Sequence, residues 1–509
     1  MTSTERPARY PDSPAWTKDL IIYEIATKGF TSPDGPESGT FRSLEAKLPY
    51  LHDLGINAIW LTGHSWSDPR HFYNIWTQYA TIDPGVIDPS LGTEQDFKAM
   101  IDTAHGHGIR VFLDVITHGV MKDSPLVAAH PDWFRGESWG MIDYDFDADI
   151  PELDQWWVDV WTRYAVEFGV DGFRLDLGLR RPDLWAQIRA NAAAVGHPIV
   201  LINETEYAHT VEWVIASGLK TVPTEDEFLG LIDFAQRDSV HLLDPHHKIE
   251  FEPLHDYGRA HMWTVEHWAQ WLARVTGGAG ADGRLQWAWP CVQLSCHDDG
   301  WEDFAGDNPY VAQSSRFVWG YGALFSGMVP IFMAGEEFGA DYVPLPTLSP
   351  RLFGGDDPGK GTWLYGSMIQ WDQLNQPEHR AVLDDVTRLI AIRKQEADIL
   401  AARPTYAEPN LLPLAYEGDI PVPQPYLRWA DGAAILVAGN PSTEADVSMT
   451  VSLPLDDIGL GGHRLYNVTN LWTGTSETYT GADLRRLVIT IPRDKTPGGG
   501  LRLLKIQPA

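Results

Sequence analysis

The chain has 509 residues, 44% of them apolar, and carries 38 basic against 70 acidic residues for a formal net charge of −32. That length holds more than one small core, and that charge repels phosphate backbones and anionic lipid surfaces while leaving a neutral ligand unpenalised. Nucleic-acid and membrane partners are therefore not expected. The opening MTSTERPARYPDSPAWTKDL lacks the apolar stretch of a signal peptide and no run of about 18 apolar residues occurs, so a cytoplasmic chain is expected. The two cysteines, Cys291 and Cys296, lie an odd number of residues apart on a strand-like run. They face opposite sides, which predicts neither a mutual disulfide nor a zinc site.

From Ile21 to Glu337 short β-rich runs alternate with helical patterns. In chain order the runs are IIYEIA, AIWLTG, RVFLDVI, GFRLDL, PIVLINE, CVQLSCHD and VPIFMAGEE. A sixth strand is placed only within 228–258. Between the second and third runs Phe97, Met100, Ile101 and Ala104 recur at helical spacing, behind a capping-box pattern from Thr93 to Asp96. Strand then helix, repeated, implies a parallel sheet, and no G-x-G-x-x-G opens the first helix. The fold class predicted is α/β: a (β/α)₈ TIM barrel with a short insertion after the third strand and a C-terminal all-β domain. Residues 1–395 form the barrel, with the inserted segment at about 119–155. A proline-rich connection follows over 396–425, and an antiparallel β-sandwich over 426–509, where DVSMTVSL alternates cleanly.

A barrel should gather its chemistry at the carboxyl ends of its strands. Asp114, Arg174, Asp176, Glu204, His297 and Asp298 all fall there. In GVDGFRLDLGL, residues 169–179, the period of two puts Arg174 and Asp176 on one face and Phe173, Leu175 and Leu177 on the other. Burying both ions costs several kcal/mol, about what good geometry must return, so a purely structural ion pair is uncommon. If Asp176, Glu204 and Asp298 share a pocket, one carboxylate can attack while another protonates a leaving oxygen, and a cation beside the first keeps it ionised.

Four segments, DVITH (114–118), GFRLDLGLR (172–180), INETEY (202–207) and LSCHDD (294–299), resemble in order the motifs of the α-amylase family of glycoside hydrolases. The resemblance implies Asp176 as nucleophile, Glu204 as general acid/base and Asp298 as transition-state stabiliser. Arg174 and His297 match the family's arginine and substrate-binding histidine, with Asp114 beside them. The implied reaction is retaining cleavage of α-glucosidic bonds in α-glucans or α-gluco-oligosaccharides, with a transglycosylase as the alternative and a non-catalytic carbohydrate-binding or interaction barrel as a remoter one. No nucleotide or redox cofactor is implied.

The departures concern metal and specificity. The family's first motif ends Asn-His, its Asn often a calcium ligand; here His118 stands either in the Asn place or as the His of a one-residue-shorter loop, so calcium, the metal that motif would suggest, is not expected and no metal is assigned. The usual Lys-His after the nucleophile is Leu179 and Arg180, and Leu177 is larger than the small residue of many relatives. Tyr73 is the candidate for stacking on a sugar ring, with Tyr79 able to take that role. The series Asp143, Asp145, Asp147, Asp149 reads as a solvated acidic loop, and His105, His107, His246 and His247 as surface or helix-end residues. Trp66 and Trp301 fall on presumptive rim loops.

Overall fold

The computed structural model describes residues 13–494 and 498–509 except 36–37, 68–78, 217, 219, 239–288, 294–296, 298–305, 308–314, 345–366, 403–409, 419–422, 441 and 443. Eight parallel strands close into a barrel: Ile22–Ile25, Ala58–Leu61, Arg110–Ile116, Gly172–Asp176, Val200–Asn203, Phe234–Asp238, Trp289–Gln293 and Val329–Met333. The eighth returns to the first through the pair Ile22 and Ile331, so no strand edge is left open. The sixth strand, FAQRD, mixes polar residues into its short run. That mixture explains why its position was blurred in the sequence.

Inward-facing residues alternate along each strand, and their character changes with height. A lower apolar layer holds Ile22, Ala58, Phe112, Val200, Ile202, Phe234, Cys291, Val329 and Ile331. Two residues further on stand Glu24, Trp60, Asp114, Arg174, Gln236 and Gln293. The apolar layer thus forms a dry floor beneath a polar layer at the strand ends. Cys291 sits in that floor as a free, buried thiol; Cys296, Tyr73, His246, His247, Asp298 and Trp301 lie outside the described residues.

The fourth strand is held from behind by an aromatic wall. Phe173 and Leu175 face the helices Pro151–Arg163 and Pro182–Ala194, whose Trp161 and Trp185 lie 5.4 and 5.7 Å from the Phe173 ring. Strand and alternation end at Asp176, because Leu177 turns into the left-handed region at φ 53° and leaves the apolar face. The capping box from Thr93 to Asp96 forms, and its helix runs from Glu94 to Gly106 with Phe97, Met100, Ile101 and Ala104 buried.

After the third strand a small antiparallel sheet (Gly119–Met121, Met141–Tyr144, Phe134–Ser138) folds over the barrel mouth. Beyond the helix Pro377–Gln395, a six-stranded and a three-stranded antiparallel sheet enclose a second core containing Leu436, Met449, Ile489 and Ile506. Buried Arg428 of that module donates to the carbonyls of Phe325, at 2.7 Å, and Ile399, at 3.1 Å, which ties it to the barrel side. Among the described residues no helix is long and apolar enough to cross a membrane.

Gly172 opens the fourth strand where neighbouring chains approach closely. A Cβ there would lie 2.5 Å from the Val200 carbonyl oxygen and 2.9 Å from the Phe112 ring. Gly172→Ala is expected to destabilise the fold by about 1–3 kcal/mol, as overpacked sites do, measured by urea unfolding. An unchanged midpoint would show that the strand gives way more easily than this spacing implies.

Candidate active site

The polar layer is organised by one side chain. Arg174, 1% exposed, places Nη1 2.8 Å from Asp176 Oδ1 and 3.2 Å from Asp114 Oδ1, and Nη2 3.1 Å from Glu204 Oε1. Its Nε donates to Gln236 at 3.3 Å, and its guanidinium lies 5.3 Å from the centre of the Trp60 ring. Three carboxylates from the third and fourth strands and the end of the fifth thus converge on one planar donor fork, the geometry a guanidinium offers and an ammonium does not. Burial opposes its charge, yet the carboxylates, Asp114 first, hold it protonated well above its ordinary value.

Asp114 is also held by Trp60 Nε1, at 3.1 Å, and by the Tyr79 hydroxyl, at 2.8 Å. Tyr79 stacks on His297 with ring centres 4.9 Å apart and lies 2.9 Å from its Nε2. The other nitrogen, Nδ1, is 2.5 Å from Glu24 Oε1, while Gln293 donates to the second Glu24 oxygen at 2.9 Å. Both nitrogens of the His297 ring are thus engaged, one by Tyr79 and one by Glu24.

The turn after Asp176 is held by backbone groups. Leu177 N–H donates to Glu204 Oε2 at 2.6 Å, and Leu179 N–H to Asn203 Oδ1 at 2.7 Å. Thr117 donates its hydroxyl to the Asp176 carbonyl at 2.5 Å. A leucine in the left-handed region costs about 1–2 kcal/mol, and such strain persists where surrounding contacts fix it. His118 is buried with Nε2 3.9 Å from Asp176 Oδ2, so its ring reaches the cluster, and Nδ1 lies 3.2 Å from Asp143 Oδ1. Asp176 and Glu204 keep partial access, with side chains 15% and 14% exposed.

The structure therefore brings together Asp114, Arg174, Asp176, Glu204, His297 and His118, with Tyr79 beside them. Leu179 and Arg180 are buried, so neither side chain stands free at the mouth. Asp143 departs from the solvated loop expected of its series: it is 1% exposed and bonded to Ser138 and His118. His105 is 2.9 Å from Asp171, and the His107 ring packs by His52. Trp66 lies on a short strand, Ser65–Ser67.

Glu24, Gln236, Gln293, Trp60 and Thr117 went unread in the sequence. Glu24 carried a usable signal, since it interrupts IIYEIA two residues after an inward Ile22, as Arg174 does in its own strand.

Known proteins give the same picture. The α-amylase catalytic-domain model matches residues 24–124. The intracellular maltogenic amylase of Bacillus subtilis (strain 168) is 26% identical over 205 residues, 32% of this chain and 34% of that protein. The trehalose synthase of Pimelobacter sp. (strain R48) is 33% identical over 124 residues, 24% of this chain and 20% of that protein. Among solved structures, a noncanonic maltogenic α-amylase, AmyB, from Thermotoga neapolitana superposes with a TM-score of 0.65 at 18% identity, covering 97% of this chain and all of that one. The family model, the curated relatives and the solved structures all indicate the α-amylase family. The chain's matched segments span about a third or less of the curated relatives just named.

Burial outweighs the pull of Arg174 on Asp114 and raises its pKa from 3.8 to about 6. A carboxyl raised on folding contributes stability that is full below its ordinary value and is lost as pH climbs through the raised one. Asp114→Asn removes that loss. Its melting temperature relative to the native chain is therefore expected to improve between about pH 4 and pH 7. A difference that stays flat or shrinks over this range would contradict the assignment.

Proposed function

We propose that this chain is a retaining α-glycoside-active enzyme that acts on α-glucans or α-gluco-oligosaccharides through a covalent glycosyl-enzyme intermediate. The observation that carries the proposal is the convergence of Asp176, Glu204 and Asp114 on the single Arg174 guanidinium at the barrel mouth. Such a cluster holds more negative than positive charge over a dry floor, which favours the positive charge that develops at an anomeric carbon.

In this mechanism Asp176 attacks the anomeric carbon from the side Arg174 holds it on, and the glycosidic oxygen departs with a proton from Glu204. To serve as that acid, Glu204 gives up its contacts with Arg174 and the Leu177 N–H as substrate enters, and takes up the proton. A retaining pair of carboxyls stands about 5 Å apart, a separation reachable by two groups sharing one guanidinium. Glu204 then draws a proton from water or a sugar hydroxyl, which releases the intermediate and restores both groups. Asp298 is assigned to charge stabilisation at the transition state by its motif alone. Tyr79, already stacked in the site, and Tyr73 are the candidates for packing against the sugar face.

The likeness to a trehalose synthase favours a second reading, in which the acceptor is a sugar hydroxyl. Product analysis on α-1,4, α-1,6 and α-1,1 linked gluco-oligosaccharides separates the two. New linkages without matching reducing-end release identify a transglycosylase. Because one relative is an intracellular enzyme, the cytoplasm is the proposed location, which cell fractionation tests.

Glu204→Gln is expected to lower kcat by about 10²–10⁴-fold, the usual share of general acid-base catalysis. A fluorinated α-glucosyl fluoride should trap one sugar on the peptide carrying Asp176, and Asp176→Asn should abolish that mass shift. Wild-type turnover by either variant would rule the mechanism out, as would a first product of inverted anomeric configuration.

A further inference from the structure

Arg180 lies four residues beyond Asp176, and the mechanism above does not use it. Its side chain is buried, with Nε, Nη1 and Nη2 all shielded from solvent and without hydrogen-bond partners among the described residues. A guanidinium brings five N–H donors into that space, and an uncompensated buried ion is strongly destabilising. Burial pulls its pKa down to about 10, so it remains charged at neutral pH, and the carboxylates that oppose the shift are Asp143, Asp176 and Asp147, in that order. A cation is therefore enclosed beside three aspartates without a direct bond to any of them.

The inserted sheet supplies the first of these. Asp143 Oδ1 accepts from Ser138 Oγ at 2.5 Å and lies 3.2 Å from His118 Nδ1, and the far nitrogen of that ring faces Asp176 at 3.9 Å. Asp147 accepts from the Lys220 N–H at 2.9 Å and from Thr221 at 2.5 Å, tying the loop down.

Calcium is the metal that the resemblance raises for this region, and these residues do not fit it. Calcium takes six to eight oxygen ligands. Thr117, next to the position in question, spends its hydroxyl on the carbonyls of Asp176 and Gly178, and His118 offers nitrogen. Among the described residues no three His, Cys, Asp or Glu side chains converge to hold a metal ion. A divalent ion there would also face the buried guanidinium.

We propose that Arg180 is the resident cation of this region, a positioning residue that balances Asp143 and Asp147 from inside the fold and so holds His118 against Asp176. The proposal rests on Asp176 as nucleophile, and its stability readout is independent of that reading. Asp143 Oδ1 orients the histidine through Nδ1, and a fixed positive charge nearby stabilises a carboxylate buried in that place.

The test compares the native chain with Arg180→Met, Arg180→Lys and the double variant Arg180→Met/Asp143→Asn, each checked for folding by circular dichroism and melting. EDTA and added calcium chloride are expected to leave the melting temperature and kcat of the native chain unchanged. Arg180→Met should lower kcat at least about ten-fold with KM held within about three-fold, and Arg180→Lys should recover most of the loss. The double variant should melt above Arg180→Met alone, because it removes the carboxylate left without its counter-charge. Should Arg180→Met fail to fold, the double variant and Arg180→Lys still decide the question. A native chain that loses stability on chelation and regains it with calcium overturns the proposal. So does undiminished kcat in Arg180→Met, or a double variant no more stable than the single one. A native chain without α-glucoside activity defeats the functional reading and leaves the melting comparison standing.

Discussion

The arrangement of the barrel mouth depends on burying one guanidinium among carboxylates. Arg174 has surrendered nearly all its hydration, a loss of several kcal/mol that one exposed partner could not return. Three carboxylates contact it, and Trp60 and Gln236 complete its surroundings. The relation works in both directions. The arginine is tolerable because the acids are there, and acids from three successive strands can sit together because the arginine is there. Removing it would leave like charges crowded in a low-dielectric pocket, where at least one would take up a proton.

Such an arrangement tolerates little movement, which explains the rigidity invested beneath and behind it. The closed barrel fixes the strands relative to one another, and its apolar layer excludes water from below. Phe173 and Leu175 anchor the outer face of the strand whose inner face carries Arg174 and Asp176, so the aromatic wall of Trp161 and Trp185 sets the height of the charged groups. Carboxyls that share one guanidinium need placement to a fraction of an ångström, and strands locked by packing supply it better than loops.

Some of this was open to a reader of the sequence, for identifiable reasons. Alternation within GFRLD is a local property, so the shared face of Arg174 and Asp176 could be read directly, as could the clustering of polar residues at strand ends. What joins Arg174 to Asp114 and Glu204 is strand register, a relation between segments about 30 to 60 residues apart that a single sequence does not encode locally. Asp143 shows the opposite failure. Four aspartates at alternate positions look like a solvated loop, and only the hairpin pairing of Gly119 with Asp143 turns the first of them inward against His118. The left-handed turn at Leu177 was hidden because its cause lies in its partners, Glu204 and the flanking carbonyls, and leucine has no special liking for that backbone.

The turn also explains how the side chains after Asp176 can vary while the site keeps its form. The hydrogen bonds that fix it run through its main chain: the Leu177 and Leu179 N–H groups donate to Glu204 and Asn203, and the Asp176 and Gly178 carbonyls accept from Thr117. Main-chain bonds do not depend on which side chain the residue carries. The side chains at 177, 179 and 180 are therefore released from holding the turn and can be chosen for what surrounds them. Leu179 fills core and Arg180 brings charge into the aspartate cluster. A fixed turn and freely chosen side chains can thus occupy the same residues, because backbone secures the first and leaves the second open.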